Sequence, residues 1–104
     1  MEKNKYIIKY TYTFTNQFNN IIKYFIYNLQ NNIIAKNFYN EVITEIEKRS
    51  KNPQSFQKYN SVKKRKNTYY RIYVKNYTIF YIVKDNIMEI RRILYSKRNF
   101  KNLI

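Results

Sequence analysis

The residues with the most chemical potential lie in two stretches, YYRIYVK (69–75) and EIRRILYSKRNF (89–100). Both mix cations with tyrosine and aliphatic residues in strand-like runs. The 104 residues include no histidine and no cysteine, which excludes thiol nucleophiles, disulfides and the usual zinc sites. Chemistry on a phosphodiester remains open. RNA is cut when its own 2′-hydroxyl attacks phosphorus, with Lys or Arg stabilising the developing charge and Tyr or Lys moving the proton. Those residue types are present, but no pair is spaced so as to mark an active site by itself.

Alternation assigns faces. In 69–75, Tyr70, Ile72 and Val74 share one side, while Tyr69, Arg71, Tyr73 and Lys75 share the other. If the apolar side meets the core, Arg71 and Tyr73 point outward, where they hold a phosphate and stack a base or else form a cross-strand pair in solvent. Regular alternation in 87–95 places Arg92 with Met88, Ile90 and Leu94, and Arg91 with Ile87, Glu89, Ile93 and Tyr95. An unpaired charge among apolar side chains costs several kcal/mol, so Arg92 is expected to pair with Glu41 or Glu45. Arg91, Lys97 and Arg98 are left to reach outward. The run Lys63, Lys64, Arg65, Lys66 falls in a loop, as a grip on nucleic-acid phosphates or as solvated surface.

These groups need a scaffold. YIIKYTY (6–12) reads as a strand. Phe18, Ile21, Ile22, Phe25, Ile26 and Leu29 recur at helical spacing, with Thr15 as the expected N-cap. Asn31-Asn32 breaks the pattern, and Ala35, Phe38, Tyr39, Val42 and Ile46 predict a second helix ending before Asn52-Pro53. So short a break implies an antiparallel helical hairpin. Three strands follow, at 69–75, 77–83 and 87–95, with turns at Asn76, expected to take positive φ, and at Lys84-Asp85-Asn86. The order β-α-α-β-β-β predicts a single α+β domain over residues 1–104, its antiparallel-dominated sheet covered on one face by the hairpin and partly open on the other.

Charge is the loudest compositional signal: 21 Lys and Arg against 6 Asp and Glu, a formal +15. Heavy use of Asn, Ile, Lys and Tyr, with no glycine and one proline, is the signature of an AT-rich genome. Codon bias does not explain the acidic deficit, since Asp and Glu codons tolerate A and T. The net charge therefore points to an anionic partner: phosphate backbones, lipid headgroups or an acidic protein. No apolar run is long enough to span a bilayer, and the N-terminus has no long apolar segment of a signal peptide. A cytoplasmic protein without metal or cofactor is expected.

In their order, PQSFQKY (53–59), YYRIYVKNYTIFYIV (69–83) and IRRILYSKRNF (90–100) resemble the RelE/ParE superfamily, the basic toxins of bacterial type II toxin–antitoxin modules. The resemblance runs from YIIKYTYTF to the last strand and implies a toxin held inactive by an acidic cognate antitoxin. One branch of the superfamily cuts mRNA on the ribosome; the other poisons DNA gyrase and is not an enzyme. Carrying the ribonuclease branch over, its basic positions fall on Arg71 and Tyr73, its later cation on Lys97 or Arg98, and its C-terminal acid on Tyr95. An arginine of that branch falls on Thr78. The strand motifs of the gyrase poisons fit closely, with Tyr95 at their common histidine. The competing reading is a non-toxic basic protein that binds nucleic acid or the ribosome.

Overall fold

The computed structural model describes residues 6–55, 58–59 and 68–97. Strand β1 (Ile7–Tyr10) ends where Thr11 turns the chain into helix α1 (Tyr12–Lys23). Thr11 has extended φ/ψ, and its Oγ1 accepts from the Phe14 N–H at 3.1 Å. The cap is therefore Thr11, and the expected Thr15 lies exposed inside the helix. The earlier start brings Phe14 one turn ahead of Phe18, so both are buried and Phe14 stacks on Tyr10. The helix is one turn longer at its start than the apolar spacing from Phe18 suggests.

At its other end α1 passes into a π-helical turn, Tyr24–Asn28, instead of running straight to Leu29. Leu29 is consequently 49% exposed. Gln30 takes φ 52°, and Asn31 caps α2 (Asn32–Arg49) by accepting from the Ile34 N–H at 2.9 Å. Ala35, Phe38, Val42 and Ile46 form the buried stripe of α2. A 3₁₀ turn at Pro53–Ser55 follows, and Pro53 is buried.

The sheet has the order β1-β5-β4-β3-β2, with β2 (Lys58–Tyr59), β3 (Tyr69–Val74), β4 (Tyr77–Lys84) and β5 (Ile87–Tyr95). β1 runs parallel to β5, and the other pairings are antiparallel. This is the expected α+β architecture plus β2, a two-residue strand that the sequence pattern does not mark. With no glycine in the chain, the left-handed positions fall on Gln30, Lys75 (φ 53°) and Asp85 (φ 55°). In the β3–β4 turn Lys75, and not the expected Asn76, takes it, at a cost of about 1 kcal/mol.

Phe14, Phe18, Phe38, Val42 and Ile46 pack on Ile72, Ile79, Tyr81, Met88, Ile90 and Ile93 of the sheet. The opposite face was expected to be partly open. Its centre, Phe80, Ile82 and Leu94, is buried as well. Among the described residues no helix is long and apolar enough to cross a membrane.

The cap assignment gives a direct expectation. Thr11→Ala should lower unfolding stability by about 1–2 kcal/mol, whereas Thr15→Ala should change it by less than about 0.5 kcal/mol. Chemical denaturation of the two variants checks this.

Candidate functional site

Where each cation points is decided in β5. Phe80 is in register with Arg92, but Tyr81 is in register with Ile90, so Arg91 is an extra residue: a β-bulge. Cross-strand partners share a face, and beyond the bulge Ile93 joins Met88 and Ile90 on the helix side. Arg92, opposite Phe80, lies on the outer face. This overturns its expected place beside Met88 and Ile90 and its expected ion pair. Glu41 contacts Lys75 at 3.7 Å and Glu45 contacts Lys48 at 3.3 Å. The physical reason is that the bulge lets Ile93 enter the core without burying a guanidinium.

Past Ile90, backbone groups of β5 have no partner in β1, because β1 stops in register with Ile90. Helix α1 supplies them. The Thr11 hydroxyl donates to the Arg91 carbonyl at 3.0 Å, and Gln17 Oε1 accepts from the Ile93 N–H at 2.9 Å. Gln17 has no apolar or charge signature that would have singled it out in the sequence.

Tyr69, Arg71 and Tyr73 of β3 line the same outer face, since Tyr70, Ile72 and Val74 are buried on the helix side. Arg71 and Arg92 stand on either side of Phe80 in one cross-strand row. The Arg71 guanidinium lies 5.6 Å from the Tyr73 ring centre, and that of Arg91 lies 5.9 Å from Tyr69. Both distances are at the outer limit of useful cation–π attraction. Arg91 also pairs with Glu89 at 3.1 Å. Thr78, where the ribonuclease branch carries arginine, is buried and its hydroxyl meets that of Ser96 at 2.8 Å.

Tyr95 lies on the other side. It is in register with Tyr77, which packs against Phe25 and Phe38 under the helices, and the two tyrosine rings meet edge-on at 5.8 Å. The sheet thus separates Tyr95 from Arg71 and Tyr73. Lys97 is exposed just past β5. Lys63, Lys64, Arg65, Lys66 and Arg98 lie outside the described residues.

Two polar contacts support β3 and β4 from beneath. Arg49, in the last turn of α2, donates to the Arg71 carbonyl at 2.8 Å. Tyr81, stacked on Tyr70, donates its hydroxyl to the Pro53 carbonyl at 2.6 Å. Burial pushes the Tyr81 phenol above 10.0, against the hydrogen bond and charge of Arg49, which pull it down. Burial likewise raises Tyr77, helped by the neighbouring phenols Tyr24 and Tyr95.

Comparison with known families places these features in context. A family model described as ParE toxin of type II toxin-antitoxin system, parDE, matches residues 8–100. No curated protein matches the chain.

The buried phenols fix a pH dependence. Their folded pKa values lie above the unfolded value of 10.0, so the folded state retains protons that the unfolded chain has released. Stability should be level from about pH 7 to 9 and decline as pH rises beyond 10, because there the unfolded state binds fewer protons. Tyr81→Phe should cost about 1–2 kcal/mol at pH 7 by leaving the Pro53 carbonyl unpaired, and should reduce the alkaline decline. Urea unfolding of both proteins across this pH range measures the two effects.

Proposed function

The chain belongs to the ParE toxin family of type II toxin–antitoxin systems, and from that premise we propose that it arrests growth by poisoning DNA gyrase. In this reading it acts in the cytoplasm and is neutralised by an acidic cognate antitoxin. The separation of Arg71 and Tyr73 from Tyr95 by the sheet is the observation that carries the choice of target. A general acid must come within hydrogen-bond reach of the group it protonates, and catalysis at one phosphorus needs acid, base and cation on one surface. Arg71 and Tyr73 stand on the outer face and Tyr95 under the helices, which supports binding over bond cleavage.

The outer face favours one second reading. Arg71, Arg91 and Arg92 with Tyr69 and Tyr73 supply the phosphate-pairing and stacking groups that an RNA strand uses. Under ribosome-dependent mRNA cleavage, Arg71, Tyr73, Lys97 and Arg98 would carry the reaction without Tyr95, and Lys63, Lys64, Arg65, Lys66 and Arg91 would hold the strand.

Two assays with purified protein separate the readings. With gyrase, ATP and supercoiled plasmid, the gyrase reading expects linear DNA to accumulate after denaturation. In a translating extract it expects no new mRNA ends at the ribosomal A site. A-site cuts without gyrase-dependent DNA breaks would overturn it. Tyr95→Phe should poison gyrase within about twofold of wild type, since no proton transfer is asked of its hydroxyl.

A further inference from the structure

Charge is distributed unevenly about the sheet. Glu41, Glu45 and Glu47 lie on α2, on the helix side. On the outer face, register places Lys9 beside Glu89, and Arg92 beside Phe80 with Arg71 beyond it. Lys84 ends the same face of β4, two residues past Ile82, and Arg91 joins it at the bulge. Glu89, held by Arg91 at 3.1 Å, is the one acidic residue in the sequences of β1, β3, β4 and β5. The basic band from β1 to β3 spans three strand spacings, or about 14 Å.

The packing of these cations narrows what they hold. Phe80, Ile82 and Leu94 are buried among them, so an anion meets the guanidinium groups over an apolar floor, where attraction is less screened than in open water. Arg71, Arg91 and Arg92 are half-buried, which reduces the side-chain freedom they lose on binding. The Arg71 guanidinium lies over the Tyr73 ring and that of Arg91 over Tyr69, so one face of each ring is already covered. A splayed base needs a bare ring face on which to stack. A phosphate backbone needs only guanidinium groups and hydroxyl donors, and Tyr73, 60% exposed, brings its phenol to the same face. An acidic protein would seek apolar anchors as well, and the apolar groups at the centre of this face are buried.

We propose that the outer face of the sheet binds the sugar–phosphate backbone of duplex DNA directly, with Arg71, Arg91 and Arg92 on phosphates and Tyr73 donating beside them. The proposal deepens the gyrase reading and rests on it for the role of the contact: the toxin grips the DNA segment that gyrase cuts, as well as the enzyme. Backbone contacts of this kind carry no base sequence. The bulge builds the face by turning two consecutive arginines toward it, and Glu89 moderates it by holding Arg91.

The test titrates full-length toxin into a labelled short DNA duplex, read by fluorescence anisotropy as salt rises from about 50 to 200 mM, with circular dichroism to verify folding. Arg71→Gln/Arg92→Gln should weaken binding by about tenfold or more and lower the slope of log affinity against log salt by about 2. Glu89→Gln should tighten binding by about twofold or more. Lys23→Gln/Lys36→Gln removes the same charge from the helical hairpin and should change binding by less than about threefold. With gyrase, ATP and plasmid, the arginine variant should yield about fivefold fewer DNA breaks than wild type. Wild-type duplex affinity in the arginine variant, an equal loss in the hairpin variant, or single-stranded RNA bound about tenfold more tightly than the duplex overturns the proposal. A toxin that binds the duplex through these arginines but produces no gyrase-dependent breaks overturns the gyrase reading alone.

Discussion

Between Ile90 and Ile93, β5 carries Arg91 and Arg92 where regular alternation has room for one outward residue. A strand in that position must either bury a guanidinium or accommodate an extra residue. It does the latter, and α1 makes it possible. Thr11 and Gln17 satisfy the Arg91 carbonyl and the Ile93 N–H, which β1 ends too early to reach. Thr11 also caps α1, so one hydroxyl fixes both the start of the helix and the geometry of the bulge. A buried N–H or carbonyl left without such a partner costs about 1–3 kcal/mol, a penalty that these contacts remove.

Two surfaces with different chemistry follow. On the outer face Arg71, Arg91 and Arg92 surround a buried apolar centre at Phe80, with Tyr69 and Tyr73 beside them. On the helix side, Tyr77 and Tyr95 complete an aromatic cleft with the hairpin. The sheet keeps the two apart. The arginines of β3 and β5 thus stand on one side of the sheet, and the aromatic cleft, with Lys75 in its lining, on the other. Arg49 ties the end of α2 to β3, and Tyr81 ties the Pro53 turn to β4.

Much of this was legible from apolar spacing. The stripes through Phe18 and Phe38, the alternation of Tyr70, Ile72 and Val74, and the two-sided apolarity of 77–83 locate the hairpin and the central strands. The remainder depended on contacts between segments distant in sequence. Thr11 and Thr15 are chemically equal as caps, and the choice falls to the one that also reaches Arg91 across the fold. The bulge carries no glycine to announce it, because the chain has none. Regular alternation therefore put Arg92 on the wrong face and drew Glu41 toward it. Gln17 and the cleft beneath Tyr95 arise from packing that no local pattern encodes.

The central claim is that Arg91 is the extra residue of β5, and its deletion tests that most directly. A slip of one residue in an ordinary strand moves every following side chain to the other face. If Arg91 is the bulge, deletion restores plain alternation, with Ile93 still inward and the remaining arginine still outward. Urea unfolding should then be cooperative, with a loss limited to about 1–2 kcal/mol from the Glu89 pair and the Thr11 contact. Loss of cooperative unfolding, or a loss well beyond that range, would mean that deletion moves the residues after Ile90 to the faces opposite those they now occupy, and would contradict the account.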